Sequence, residues 1–147
     1  MAEHNIIGQK GEQIAVETMR KKGFRVVDTN WKFGHLEMDV IAVNRMEIAF
    51  VEVKTRTSSF GDKRPEEFVD ELKQRRMAAA ANAYIKIHQI ELVPRFDIIG
   101  ISMDPNTYEV KELTHLEDAF LPPQRTIGKS SFSGQGRWKH RGRVIGK

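Results

Sequence analysis

The period of the apolar residues changes several times along this chain, and each change predicts an element. Over residues 6–22, Ile7, Ile14, Ala15, Thr18 and Met19 recur near the helical period, and Gly23 is a natural stop, so a helix is expected there. Residues 24–31 read as extended, with Val26 and Val27 in the middle, and Phe33-Gly34-His35 reads as a connection. Two strand-like runs follow, Leu36–Val43 and Ile48–Lys54, joined near Asn44-Arg45-Met46-Glu47. Successive strand side chains alternate between faces. One face of this hairpin carries Ile41, Val43, Ile48 and Phe50, the other Val40, Ala42, Ala49, Val51 and Val53. Both faces are apolar, so the hairpin is expected to be covered on both sides. Residues 55–64 are polar and read as a loop, and Pro65 suits the first turn of a helix running to about 87. Residues 95–102 and 108–113 read as strands, with Asp104-Pro105-Asn106-Thr107 turning between them. The order α-β-β-β-α-β-β predicts an α/β domain on one mixed sheet flanked by helices.

Acids interrupt the hairpin where core residues belong. Asp39 shares a face with Ile41, and Glu52 and Lys54 share a face with Ile48 and Phe50. A four-residue loop pairs Val43 with Ile48 and sets Asp39 opposite Glu52. A two-residue loop at Asn44-Arg45 sets Glu37 opposite Glu52, with Asp39 diagonal. Either register keeps the three acids on one face. Such groups are costly to bury unless paired or metal-bound. Two carboxylates can hold a Mg²⁺ or Mn²⁺, and the carbonyl of Val53 between Glu52 and Lys54 could add a ligand. A lysine beside them can position a water or stabilise developing charge. This is the donor set that metal-dependent phosphodiester hydrolysis requires.

Glu-x-Lys by itself is weak, since the chain holds it three times: Glu52-Val53-Lys54, Glu71-Leu72-Lys73 and Glu109-Val110-Lys111. The second lies on an expected helix, where residues two apart do not face each other. The third, with Asp97 twelve residues upstream of Glu109, lies in an ordinary half-exposed alternation and reads as a solvated face. Asp97, in Arg95-Phe96-Asp97-Ile98-Ile99, reads as one half of a structural pair with a nearby Lys or Arg. Glu12, taken alone, reads as a surface glutamate.

Composition narrows the setting. The 147 residues suffice for one domain with a real core, and the absence of cysteine excludes disulfides and thiolate zinc sites. The N-terminus does not read as a signal peptide, and no apolar run approaches the roughly 20 residues of a membrane span, so a soluble cytoplasmic protein is expected. The net charge of +4 divides unevenly. Residues 122–147 carry seven of the 24 basic side chains and none of the 20 acids, which makes the tail +7 and the body −3. The expected organisation is therefore a domain over 1–121 and a basic tail over 122–147, disordered when free and suited to a polyanion.

These residues resemble a known family. Gly8-Gln9-Lys10-Gly11-Glu12 with Ala15, His35-Leu36-Glu37-Met38-Asp39-Val40-Ile41-Ala42, Phe50-Val51-Glu52-Val53-Lys54-Thr55-Arg56 and Phe60-Gly61 look like the YraN family, and Arg95-Phe96-Asp97 looks like another of its elements. That group of small bacterial proteins is similar in fold to Holliday-junction resolvases and belongs to the PD-(D/E)xK nuclease superfamily. The resemblance covers roughly residues 5–115. It implies a restriction-endonuclease-like core and a metal site in which Glu12 of the first helix joins Asp39 and Glu52, with Lys54 as the catalytic lysine. Glu37 matches the glutamate of the family's Gly-Glu-x-Asp motif. Leu36 departs from the usual glycine, and Met38 stands where the wider superfamily names proline. Neither departure removes a ligand.

The leading expectation is a Mg²⁺-dependent endonuclease acting on DNA, branched or damaged DNA included, which leaves 5′-phosphate and 3′-hydroxyl ends. Thr55, Arg56, Lys73, Arg75 and Arg76, with Arg137, Lys139, Arg141 and Arg143 of the tail, are candidate nucleic-acid contacts. For the 73–76 cluster a plain solvated helix face is the competing reading. One alternative is a non-catalytic nucleic-acid-binding protein of the same fold, with strongly salt-dependent affinity. Another is an interaction protein whose tail docks on an acidic partner. A homodimer would suit an enzyme that cuts two strands, although no residue pattern displays an interface.

Overall fold

The computed structural model describes residues 2–59, 61, 67 and 69–121, for 2–5 the backbone alone. Pro65, Phe68 and the tail from 122, with Arg137, Lys139, Arg141 and Arg143, lie outside the described residues. The elements are α1 (Ala2–Lys21), β1 (Arg25–Phe33), β2 (Leu36–Val43), β3 (Glu47–Arg56), α2 (Glu71–His88), β4 (Val93–Met103) and β5 (Val110–Leu116). One five-stranded sheet has the order β1-β2-β3-β4-β5. β1, β2 and β3 form an antiparallel meander, α2 crosses over to β4 parallel to β3, and β5 returns antiparallel. This is the restriction-endonuclease-like arrangement that the resemblance implies.

The sheet is covered on both sides, as the two apolar faces of the hairpin require. α1 packs Ala15 and Met19 on Val40, Ala42, Ala49, Val51, Ile99 and Ile101. α2 packs Met77, Ala81, Tyr84 and Ile85 on Ile41, Ile48, Phe50, Phe96 and Ile98. Gly23 takes φ +95° just past α1, and the Phe24 N–H closes back on the Met19 carbonyl at 3.0 Å. Glycine enters that left-handed region without a Cβ penalty.

Several bounds differ from the sequence expectation, each for a local reason. α2 starts at Glu71 because Asp70 caps it, its carboxylate accepting from the Lys73 N–H at 2.9 Å. β3 runs on through Thr55 and Arg56, since β4 pairs with it as far as Arg56–Ser102. β5 begins at Val110, because Tyr108 sits at φ +63° and cannot continue a strand. Glu109, just before β5, and Lys111 within it are both exposed, in line with a solvated face.

The hairpin register is that of the four-residue loop. Val43 pairs with Ile48 and Val40 with Val51. Asn44 builds the turn: its side-chain oxygen accepts from the Met46 and Glu47 N–H groups at 2.9 and 2.7 Å. The β2–β3 ladder ends at Val40–Val51, one position before Asp39 and Glu52 would meet.

Candidate active site

The site sits where β2 leaves β3. Beyond Val51 the next β3 group facing β2 is the Val53 N–H, and the Asp39 carboxylate accepts from it at 2.8 Å in place of a backbone carbonyl. The N–H and C=O of one strand residue point to the same edge. The Val53 carbonyl therefore opens on the same gap. Strict alternation also fails here. Met38 packs with Ile41 and Ile48 on the α2 side, whereas Val40 packs on the α1 side.

The remaining site residues reach the gap from three elements, β3, α2 and α1. Glu52 and Lys54 follow Ile48 and Phe50 on the α2 face of β3. The Lys73 ammonium, in the first turn of α2, pairs with the Glu52 carboxylate at 3.3 Å. Glu12 comes from α1 on the other face. Its predecessor Gly11 lies so close to β3 that a Cβ there would overlap the Thr55 methyl. Glu12 itself accepts a hydrogen bond from Asn30 of β1 at 2.8 Å. Contacts to β3 on one side and β1 on the other straddle β2, the strand that carries Asp39.

Electrostatics ties the group together. Burial holds the Asp39 carboxyl above the ordinary carboxylate range; the Val53 N–H works against this, and the Glu12 and Glu37 charges add to it. Burial and then the Asp39 charge push Glu52 up to about 7, with Lys73 and Lys54 pulling the other way. Glu37 is exposed and sits opposite Lys32 of β1. Among the described residues no three His, Asp or Glu side chains converge tightly enough to hold a metal ion as they stand. Glu12 is bonded to Asn30, Asp39 to Val53 and Glu52 to Lys73.

All of these groups lie within the stretch that a family model matches. A family model described as "Uncharacterised protein family UPF0102" matches residues 11–101. The chain belongs to this family. A UPF0102 protein of Parabacteroides distasonis is 42% identical over 125 residues, covering 85% of this chain and 100% of that protein. A UPF0102 protein of Bacteroides thetaiotaomicron is 40% identical over 123 residues, covering 84% and 98%. One of Flavobacterium psychrophilum is 40% identical over 121 residues, covering 82% and 98%. The family resemblance read from the motifs is thereby borne out.

In this UPF0102 chain the candidate nucleic-acid contacts divide. Thr55 turns its methyl to Gly11 of α1. Arg56, at the end of β3, is partly exposed. Lys73 is committed to Glu52, and Arg75 pairs with Glu71 one helical turn away at 3.2 Å. Arg76 is exposed. Asp97 is fully buried away from the gap, on the α1 side of β4 beside β5. It holds Arg95 at 2.9 Å and His115 at 2.7 Å and accepts the Asp118 N–H at 3.0 Å, a structural pairing with arginine as expected. That network keeps its charge stable: the hydrogen bonds from His115 and Asp118 and the Arg95 charge hold Asp97 below the usual range despite its burial.

Two participants escaped the sequence. Lys73 as the counter-charge of Glu52 is hidden because they lie on different elements; only the Asp70 cap, which fixes where α2 begins, signals it. Asn30 is hidden inside an extended run. Its one signal is an asparagine between Thr29 and Trp31, where a β-former would be ordinary.

Proposed function

We propose that this UPF0102 protein is a Mg²⁺- or Mn²⁺-dependent endonuclease that hydrolyses phosphodiester bonds of DNA. The observation that carries this reading is the Asp39–Glu52 pair. The two carboxylates flank the point where the buried β2–β3 ladder ends, burial lifts both, and the Asp39 charge lifts Glu52 further, so a cation between them would relieve both. The donors suit a hard cation: carboxylate oxygens from Asp39 and Glu52, the Val53 carbonyl on the same edge, and Glu12 from the opposite face. When bound, such an ion neutralises the phosphate and makes a coordinated water more acidic. Binding asks Glu52 to exchange the Lys73 ammonium for the metal. Lys54, two residues along the same face of β3, holds the attacking water or meets the charge developing on the leaving oxygen. Lys73, once released, stands at the rim beside Arg76, where a phosphate backbone would pass.

The test is cleavage of four-way-junction, flap, single-stranded and linear duplex DNA, and of RNA, with Mg²⁺ or Mn²⁺. Metal-dependent products bearing 5′-phosphate and 3′-hydroxyl ends support the reading and name the substrate. No cutting of any substrate with either ion contradicts it.

One observation favours a non-catalytic nucleic-acid-binding protein of the same fold: all three acids already have protein partners. Such a protein binds DNA equally well with and without Mg²⁺, and a titration in EDTA separates the two readings.

A further inference from the structure

Asn30 stands in β1 between the pairs Thr29–Val40 and Trp31–Met38, the position opposite Asp39. Its backbone is left-handed, at φ 51°. An ordinary L residue adopts that conformation only at a cost, and asparagine tolerates it best after glycine. The kink falls at the level of the Asp39 gap and next to the place where Met38 departs from alternation. From it the Asn30 side chain reaches up to α1 and donates through Nδ2 to Glu12 Oε1 at 2.8 Å. A carboxylate can only accept, so the amide must present its nitrogen. One oxygen of Glu12 is thus held and the other is left unassigned. Gly11, pressed against Thr55, fixes the helix backbone immediately before Glu12. Asn30 then fixes the side chain.

We propose that Asn30 is a positioning residue that orients the Glu12 carboxylate toward the Asp39–Glu52 gap as an oxygen ligand for the divalent cation. The inference rests on the metal-dependent reading above. It assigns Asn30 no contact with substrate or reacting atoms. Partners of metal ligands of this kind act by removing rotational freedom from the ligand, and their loss typically lowers metal affinity about 10–100-fold.

Asn30→Gly is the informative variant, because glycine keeps the left-handed backbone and deletes only the amide. Two measurements on the full chain test the proposal. In metal-free protein, Glu12→Gln should shift the Asn30 side-chain amide resonances in a ¹⁵N–¹H spectrum. Unmoved resonances overturn the proposal whether or not metal binds. In a Mn²⁺ titration by calorimetry, Asn30→Gly should weaken binding about 10-fold while the thermal midpoint holds, and it should have no further effect in a Glu12→Gln background. Equal affinities for the original protein and Asn30→Gly overturn the positioning role. So does an additional loss in the Glu12→Gln background, since Asn30 would then act by another route. A shifted amide in a protein that takes up no Mn²⁺ also overturns the proposal, and it places the fault in the metal-dependent reading rather than in the Asn30–Glu12 bond.

Discussion

Glu52 has a side chain only 16% exposed and a pKa pushed up to about 7, and both follow from its place in the gap. In the unfolded chain the same carboxyl titrates near 4.5. Between those values the folded protein binds a proton that the unfolded chain has lost, so stability falls as pH rises through the window and the full cost is in place above it. Removing the charge should remove that cost. Glu52→Gln is expected to be more stable than the original protein at pH 8 by about 1–3 kcal/mol, and nearly equal to it at pH 4.5, in urea unfolding at the two pH values. The same protonation competes with metal. Mg²⁺ affinity is expected to rise with pH up to about 7 and level off above it, as calorimetry at stepped pH would show. Asp39, Glu52 and Lys54 were legible in the sequence because they break an apolar alternation. Glu12 was not, because a glutamate on an amphipathic helix looks like any other; only the motif resemblance singled it out. Asn30 escaped both routes, since a hydrogen bond between a strand and a distant helix leaves no local pattern.

The close approach of α1 to β3 at Gly11 and Thr55 brings Glu12 to the gap. Alanine at a helical glycine gains up to about 1 kcal/mol in helix propensity. At Gly11, however, the added methyl meets the Thr55 Cγ2, and overpacking of this kind costs about 1–3 kcal/mol or more. Overlap should win: Gly11→Ala is expected to lower the unfolding free energy by about 1–2 kcal/mol net, and Thr55→Ser, which deletes that methyl, should restore most of it. Thermal or urea unfolding of the single and double variants reads this directly. At α2, Asp70→Ala is expected to cost about 1 kcal/mol through the lost cap, and to loosen the first turn that holds Lys73 against Glu52. Element order and burial of both hairpin faces could be read from the chain, because alternation is a local signal; the hairpin register stayed open between a four-residue and a two-residue loop, and the Asn44 turn selects the first. The start of α2 and the bounds of β5 could not. Pro65 satisfies a rule for helix starts but lies outside the described residues, and α2 itself is capped at Asp70; the left-handed Tyr108 has no sequence signature that separates it from a strand residue.

Charge is the property of the whole molecule that bears most on a nucleic-acid partner. The described body is net acidic and its site is acidic, while the excess of positive charge belongs to residues 122–147. A polyanion approaching the gap is therefore expected to be retained largely by the tail. Deleting residues 122–147 should weaken DNA binding and flatten its dependence on salt, while cleavage at low salt persists. Binding isotherms at several ionic strengths would show whether the slope changes. The family model over residues 11–101 takes in the entire gap. The Asp39–Glu52 gap with Lys54 is proposed to hydrolyse phosphodiesters. Its most direct test is single-turnover cleavage of a labelled four-way junction in Mg²⁺, comparing the original protein with Glu52→Gln and Lys54→Ala, each shown to be folded and to bind the junction. Metal-dependent cutting by the original protein and a loss of at least about 100-fold in both variants are expected. Cutting that survives both substitutions, or a fully folded original protein that binds the junction and never cuts it, would mean that the gap is not a nuclease centre.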